Sequence, residues 1–171
     1  MTDEREKYSD QQLKAEFLER QLAYEKNLGK FLVAFNRVEQ CTYEIVVTAF
    51  ELKGLKALSK ETRTHFMTLN KCREILELLQ KDIDDLGSID VKLIKKLATD
   101  RNQYGHGAFL LEIKGGEPAY VVRGKNEDPK TTDPKILDEL AHKANDLGER
   151  MEHLLISLRI KALRAPYDAE R

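Results

Sequence analysis

Three residues near the middle of the chain have side chains that could act together on a phosphate group. The segment ATDRNQYGHGAF, residues 98–109, contains Arg101, Asn102 and His106. An imidazole with an ordinary pKa of about 6.5 can accept or donate a proton at neutral pH. A guanidinium stays charged and can hold two phosphate oxygens at once. Because RNA carries its own nucleophile, the 2′-hydroxyl, these groups predict RNA cleavage that needs no metal ion.

The spacing of these residues raises a geometrical problem. Arg101 and His106 are five positions apart, which is roughly 140° around an α-helix, so one intact helix would not direct both at one point. Either Gly105 and Gly107 unwind the helix end and turn His106 around, or two copies of the chain bring their motifs to one cleft. Asn102 should share a helix face with His106, where it could orient the imidazole or contact a phosphate oxygen.

Apolar residues at helical spacing predict the elements that must position these side chains. One run consists of Phe31, Phe35, Val38, Thr42, Ile45 and Ala49, and another of Leu137, Leu140, Ala144, Leu147, Met151, Leu154 and Leu158. Steps of three and four residues place each run on one helix face. Gly115-Gly116 between two apolar stretches predicts a hairpin. We therefore expect an all-α fold, a four- to five-helix bundle with a small β-hairpin inserted before the long C-terminal helix.

The helix that carries the motif has an unusual stripe. Ile94 and Leu97 are followed at the same spacing by Arg101, with Asn102 beside it. Both polar residues would therefore continue an inward-facing stripe. A charge that faces a core or an interface is costly unless it is paired or used, which favours a functional role for Arg101.

Breaks in the pattern set the expected boundaries. Residues 1–8 are expected to form a flexible N-terminal tail, residues 9–163 a single helical domain, and residues 164–171 a C-terminal tail. Gly29 is expected to interrupt the first helix, and the basic segment 55–65 is expected to be a loop.

Composition narrows the function classes. The 171 residues carry a net charge of −1 at pH 7, so overall charge favours neither nucleic acid nor membranes. No apolar run reaches membrane-spanning length, and the charged start MTDEREKYSD does not look like a signal peptide. We expect a cytoplasmic protein with buried thiols at Cys41 and Cys72. Since His65, His142 and His153 lack the spacing of metal ligands, no metal or cofactor is expected.

Local basic clusters leave RNA binding open. Lys71 and Arg73 lie in one basic stretch, and Lys95 and Lys96 precede the motif in another. Each stretch alone is also what a solvated helix face would show. Together they are candidates for an RNA-binding surface beside the motif.

The pattern RNxxxHG, formed by Arg101, Asn102 and His106 with a glycine after it, resembles the signature of the HEPN superfamily. These are small helical-bundle domains of toxins, abortive-infection proteins and RNases. The long upstream helix with Glu39 and the long terminal helix are also similar to the family's layout, over about residues 30–160. The resemblance implies a metal-independent endoribonuclease of the toxin or phage-defence type that leaves 2′,3′-cyclic phosphate ends.

The resemblance further implies a homodimer with both motifs at the interface. Arg101 would stabilise charge on the phosphate, and His106 would transfer a proton. Glu39 could reach Arg101 or polarise His106, although a plain surface role is as open, and Tyr104 is a second supporting candidate. An antitoxin or a nucleotidyltransferase is the implied partner class. In some HEPN toxins the partner modifies a tyrosine two residues after the histidine; that position is Ala108 here, so such control is not expected at this site.

Three other interpretations use the same residues. The protein could be a non-catalytic helical binding or scaffold protein, or the partner in a toxin–antitoxin pair. His106 and Gly107 could also form only a helix C-cap, with Arg101 in a salt bridge near the negative end of the helix. Motif-dependent cleavage of RNA separates these interpretations from the nuclease.

Overall fold

The computed structural model describes residues 10–65, 67–114, 117–123 and 130–168. Within them lie five α-helices, a short 3₁₀ helix and a small antiparallel sheet. The helices are α1 (Asp10–Leu52), α2 (Lys56–Thr64), α3 (Leu69–Leu79), α4 (Val91–His106) and α5 (Pro134–Asp168), with the 3₁₀ helix at Asp84–Ser88. The strands are β1 (Ala108–Lys114), β2 (Glu117–Arg123) and β3 (Lys130–Thr131), in the order β1-β2-β3. The predicted mostly helical fold, with a hairpin before the long last helix, is confirmed, and the two-residue β3 extends that hairpin.

The chain divides into two compact units. The first, called here the hairpin unit, comprises residues up to 33 and residues 99–142, and the second, the helical unit, comprises residues 34–98 and those from 143 onward. Helices α1, α4 and α5 each contribute residues to both units. The motif belongs to the hairpin unit.

The helical unit has an aliphatic interior that the helical period predicts. Fully buried members of this interior are Val38, Ile45, Val46, Leu76, Leu86, Ile94, Leu97, Leu147, Met151 and Leu158. Ion pairs join α1 to α5 at its surface, where the Arg37 guanidinium donates to both carboxylate oxygens of Glu152. Arg159 donates to Glu44 at 2.7 Å. The apolar stripes therefore pack against each other as expected, with paired charges outside them.

The hairpin unit is held by contacts between segments that are distant in the sequence. Asn27 of α1 donates to the backbone carbonyl of Pro134 at 2.9 Å, and Lys30 pairs with Asp138 at 2.8 Å. Both contacts fix the start of α5 to α1. Strands β1 and β2 pair in a regular antiparallel register that sets Leu111 opposite Tyr120.

Two local expectations were wrong. Gly29 does not interrupt a helix, because α1 continues through it to Leu52. A glycine in a helix interior costs only about 1 kcal/mol relative to alanine, which packing on either side can offset. The basic segment 55–65 is not a loop but contains α2, on which Ser59 and Thr62 are buried. Helix α1 ends as expected near Gly54, whose φ of 72° is the left-handed conformation that glycine adopts readily.

The structure describes part of only one of the two predicted tails. The N-terminal tail, residues 1–8, lies outside the described residues. In the C-terminal tail, residues 164–168 are helical, because α5 continues through Pro166 to Asp168. Proline near a helix end removes a single backbone hydrogen bond, so the last turn persists.

Candidate functional site

The three motif side chains meet at the end of an intact helix. One guanidinium nitrogen of Arg101, Nη1, lies 3.0 Å from Asn102 Oδ1 and 3.5 Å from His106 Nε2. Helix α4 stays helical through His106, so neither unwinding nor a second copy is needed to bring these groups together. The expectation that one intact helix keeps Arg101 and His106 apart was wrong, since the long arginine side chain spans the angular separation.

The motif side chains are more exposed to solvent than the apolar stripe of α4 predicts. Arg101 is half-buried, whereas Asn102, Gly105 and His106 are exposed in the chain. The inward-facing stripe therefore continues to Arg101 only in part, and it does not include Asn102. A polar side chain at a helix end stays in water unless it gains a partner, because burying it unpaired is costly.

Asn102 is paired with the arginine. Its Oδ1 accepts a hydrogen bond from Arg101 Nη1. Among the residues that the structure describes, no acceptor is bound to the N–H₂ group of Asn102. The hydrogen bond that the structure shows for Asn102 is to Arg101, and its predicted role of orienting the imidazole stays a prediction. The second hydrogen on Nη1 is the one that faces His106 Nε2.

A tyrosine from α1 anchors the last turn of α4. The Tyr24 hydroxyl donates to the backbone carbonyl of Tyr104 at 3.0 Å. That carbonyl is one of the last four in the helix, which have no partner within the helix itself. Burial raises the pKa of Tyr24 to about 12, and the neighbouring Tyr104 adds to the effect. The neutral hydroxyl therefore remains a donor throughout the physiological range.

Tyr104, a supporting candidate, is part of this anchor. Its ring is buried, and burial raises the pKa of its phenol, while the Thr132 hydroxyl lowers it and the Asp100 carboxylate raises it. A buried neutral phenol with neighbours on α4 and before α5 is suited to fixing the helix end. This environment suits Tyr104 to positioning the end of α4, two residues before His106.

Gly107 fits where no larger residue would. A Cβ built on Gly107 would lie 2.6 Å from the Gln103 carbonyl oxygen and would overlap the Val122 side chain. Val122 is fully buried in β2, so it has little room to move. The glycine after the histidine therefore lets the sheet pack directly against the end of α4, which fixes the exit of the chain from His106.

Aromatic rings stack on one another in the hairpin unit, and the sequence analysis did not predict this stacking. Phe109 stacks on Tyr24 with ring centres 4.7 Å apart, on Phe17 at 5.8 Å and on Tyr120 at 6.0 Å. The Arg20 guanidinium lies 4.3 Å above the Tyr120 ring. A sequence signal did exist, since Phe17 and Tyr24 are seven residues apart on α1, which is a helical repeat.

The other predicted supporting residue is a carboxylate on α1. Glu39 belongs to the helical unit, where it is half-buried. Burial raises the pKa of the Cys72 thiol, and the Glu39 carboxylate raises it further. Cys72 and Cys41 are both free, buried thiols, as expected. The structure therefore places Glu39 beside a core cysteine of its own unit.

The predicted RNA-binding cations lie in the helical unit. Lys71, Lys95 and Lys96 are exposed. Arg73 differs, because its side chain is 14% exposed and its guanidinium lies 3.5 Å from Glu77. A cation held against a carboxylate has less charge to offer a phosphate, which weakens Arg73 as a candidate contact.

Two features are absent from the described part of the chain. No group of three or more histidine, cysteine or acidic side chains is arranged to hold a metal ion. No helix there combines the length and the apolar composition that a bilayer crossing requires.

No family model matches the chain, and no curated protein or solved structure matches it either. The HEPN resemblance thus depends on the motif residues and on the helix pattern. What the geometry contributes is a cation, an amide and an imidazole in contact on one exposed helix end.

Proposed function

We propose that the protein is a HEPN-like, metal-independent endoribonuclease whose site is Arg101, Asn102 and His106. The observation that carries the proposal is the 3.5 Å contact between the Arg101 guanidinium and His106 Nε2 at the exposed end of α4. A permanent cation and a proton-transfer group this close together support a site that acts on one phosphodiester. This is the pair of groups that cleavage by an internal 2′-hydroxyl requires.

The proposed reaction uses these side chains as follows. His106 takes the proton of the 2′-hydroxyl, the 2′ oxygen forms a bond to phosphorus, and the bond from phosphorus to the 5′ oxygen breaks. The 5′ oxygen takes a proton from solvent as it leaves, and the other product ends in a 2′,3′-cyclic phosphate. The protonated His106 then returns its proton to solvent, which restores the neutral base. Arg101 stabilises the charge on the non-bridging oxygens throughout.

The proposal includes a homodimer in the cytoplasm, of the toxin or phage-defence type. Asn102 and His106 are exposed in the single chain, so the face that carries them is open to a second copy and to RNA. Lys71, Lys95 and Lys96 are the proposed contacts to the RNA backbone. An antitoxin or a nucleotidyltransferase is the proposed regulatory partner, and Ala108 makes modification of a tyrosine at that position inapplicable.

Cleavage of mixed RNA in EDTA tests the function. The purified protein should produce fragments with 2′,3′-cyclic phosphate ends. His106→Ala should reduce the rate by about 10²- to 10⁴-fold, the usual contribution of a general acid–base group. His142→Ala is the matched control, because His142 is an exposed histidine of the same unit outside the motif.

The result that would overturn the nuclease is plain. A pure, folded His106→Ala protein that cleaves as fast as the His142→Ala control removes His106 from the mechanism. Complete absence of cleavage by the unmodified protein, whether dimeric or not, rejects the nuclease for the RNA mixture used.

A specific observation favours the alternative, a non-catalytic binding or scaffold protein. Leu22 and Val33 on α1 are 68% and 73% exposed, and the chain's net charge of −1 gives no general attraction to RNA. Exposed apolar side chains on one helix suit a protein contact. Under this alternative, Leu22→Ser and Val33→Ser should abolish partner or self association, while motif substitutions change nothing.

A further inference from the structure

The contact between Arg101 and His106 restricts where the imidazole carries its proton. A guanidinium has hydrogens to donate and no lone pair to accept with. Nε2 of His106, which faces Arg101 Nη1, must therefore accept, so a neutral ring carries its proton on Nδ1. In water a free histidine side chain favours the opposite tautomer, with the proton on Nε2. The contact thus reverses the ordinary preference.

The same contact occupies the atom that a general base would use. The lone pair on Nε2 is directed at Arg101, and Asn102 Oδ1 holds the same guanidinium nitrogen in place. Both hydrogens of Nη1 are engaged in this way. Within the described residues, the guanidinium edge formed by Nε and Nη2 makes no hydrogen bond or ion pair. That second edge has the fork geometry that phosphate oxygens accept.

A phosphate anion is a better acceptor than a neutral imidazole. Charge-assisted bidentate hydrogen bonds are roughly twice as strong as neutral ones, and a 3.5 Å contact is at the long end for a nitrogen donor. The C-terminal end of α4 carries negative partial charge and does not attract an anion. The attraction for phosphate at this point therefore comes from the Arg101 guanidinium. Phosphate binding should turn the guanidinium from the ring toward the anion.

From these observations we infer that Arg101 caps the proton-accepting nitrogen of His106 until a phosphate draws the guanidinium away, so that the base is uncovered by the substrate itself. Asn102 is then a positioning residue that sets how firmly the cap is held. The inference rests on the proposed function for its biological meaning. The change of the His106 tautomer on phosphate binding can be tested without any RNA cleavage.

Nitrogen NMR of histidine-labelled protein tests this directly, at a pH of about 8 where an ordinary imidazole is neutral. The probe is inorganic phosphate, with chloride at equal ionic strength as the control. His106 should be the Nδ1–H tautomer in the free chain and should convert to the ordinary mixture as phosphate saturates. Resonances are assigned with His106→Ala.

The chain offers a matched internal control in His142. Its Nδ1 lies 2.7 Å from the Asp138 carbonyl oxygen, an acceptor that fixes the same Nδ1–H tautomer. Phosphate does not compete for that carbonyl as it does for a guanidinium, so His142 should keep its tautomer. A change at both histidines would show a general salt effect and would overturn the inference.

Two substitutions of Asn102 measure the cap. Asn102→Ala removes one hydrogen bond to Arg101 and should lower the half-saturating phosphate concentration by about two- to tenfold. Asn102→Asp strengthens the hold through charge and should raise that concentration. Equal values for both variants, or the reverse order, would contradict the positioning role.

Arg101→Met supplies the decisive comparison, because methionine keeps an unbranched apolar side chain and has no hydrogen-bond donor. His106 should then show the ordinary tautomer mixture without phosphate and should not respond to it. The inference fails if the unmodified chain already shows that mixture, or if it keeps the Nδ1–H tautomer up to the solubility limit of phosphate. Failure of the nuclease would appear separately, as absence of RNA cleavage with a tautomer that still responds.

Discussion

The helical unit and the hairpin unit are built on different kinds of contact. The helical unit buries aliphatic side chains from helices whose apolar period is clear in the sequence. The hairpin unit depends on stacked aromatic rings, on a hydroxyl from Tyr24 that reaches a carbonyl 80 residues away, and on a glycine pressed between helix and sheet. The candidate site lies in the hairpin unit. Its geometry therefore depends on a few specific contacts, whereas the helical unit depends on the burial of many aliphatic side chains.

The largest effect on stability is expected in the helical unit. Ile45 is fully buried, and Ile45→Ala should lower the free energy of unfolding by about 2–5 kcal/mol through lost transfer energy and an unfilled cavity. Urea denaturation followed by circular dichroism measures the loss. The tautomer of His106 in the folded protein should be unchanged.

Ile156→Ala is the control, because Ile156 is 56% exposed on α5. That change should alter the unfolding free energy by no more than about 0.5 kcal/mol, as is usual for surface substitutions. A loss of similar size for both variants would show that the aliphatic interior is not what stabilises this unit.

The next largest loss of stability is expected at Gly107 in the hairpin unit. Gly107→Ala forces a methyl group against the Gln103 carbonyl and the Val122 side chain, so it should cost about 1–3 kcal/mol, the range for overpacking. The end of α4 should shift as the sheet moves away. His106 should then lose its contact with Arg101 and show the ordinary tautomer mixture.

Gly105→Ala separates this packing effect from helix propensity. A Cβ at Gly105 would lie an ordinary 3.6 Å from Leu32, so alanine there should be neutral or stabilising by up to about 1 kcal/mol. If both alanine variants behave alike, the close approach at Gly107 does not fix the site.

These contrasts show what the sequence could predict. The stripe from Phe31 to Ala49 is buried as expected, because helical period alone decides which face of a helix is apolar. The motif residues could be identified by their types. The contact of Arg101 with Asn102 and His106 could not be predicted, since it depends on the length and conformation of one arginine side chain. The position of Tyr24 under α4 depends on a contact across 80 residues, and no local pattern encodes such a pairing.

The anchor formed by Tyr24 should make the hairpin unit sensitive to high pH. Tyr24→Phe keeps the ring on Phe109 and removes the hydrogen bond to the Tyr104 carbonyl, which should cost about 1 kcal/mol near pH 7. The folded chain holds the Tyr24 proton to a pKa of about 12, against an ordinary value of 10.0. Stability from this group is thus complete below pH 10 and is lost as the pH rises toward 12.

Urea midpoints at several values of pH measure that loss. The unmodified chain should lose up to about 2 kcal/mol between pH 10 and 12 through Tyr24, which corresponds to its pKa shift. Tyr24→Phe should lose less, with a remainder from Tyr104, whose pKa is also raised. Parallel pH profiles for the two proteins would contradict a buried, hydrogen-bonded Tyr24 hydroxyl.

The smallest predicted effect concerns the glycine that failed to break α1. Gly29 is exposed inside the helix, and a Cβ built there meets no atom within 4 Å. Gly29→Ala should therefore stabilise the protein by about 0.5–1 kcal/mol, because alanine loses less backbone entropy in a helix. Urea denaturation measures the gain, and an unchanged His106 tautomer would show that the site is unaffected. A destabilising Gly29→Ala would instead indicate that this exposed face of α1 packs closely against a second molecule, since nothing in the described part of the chain meets the added methyl group.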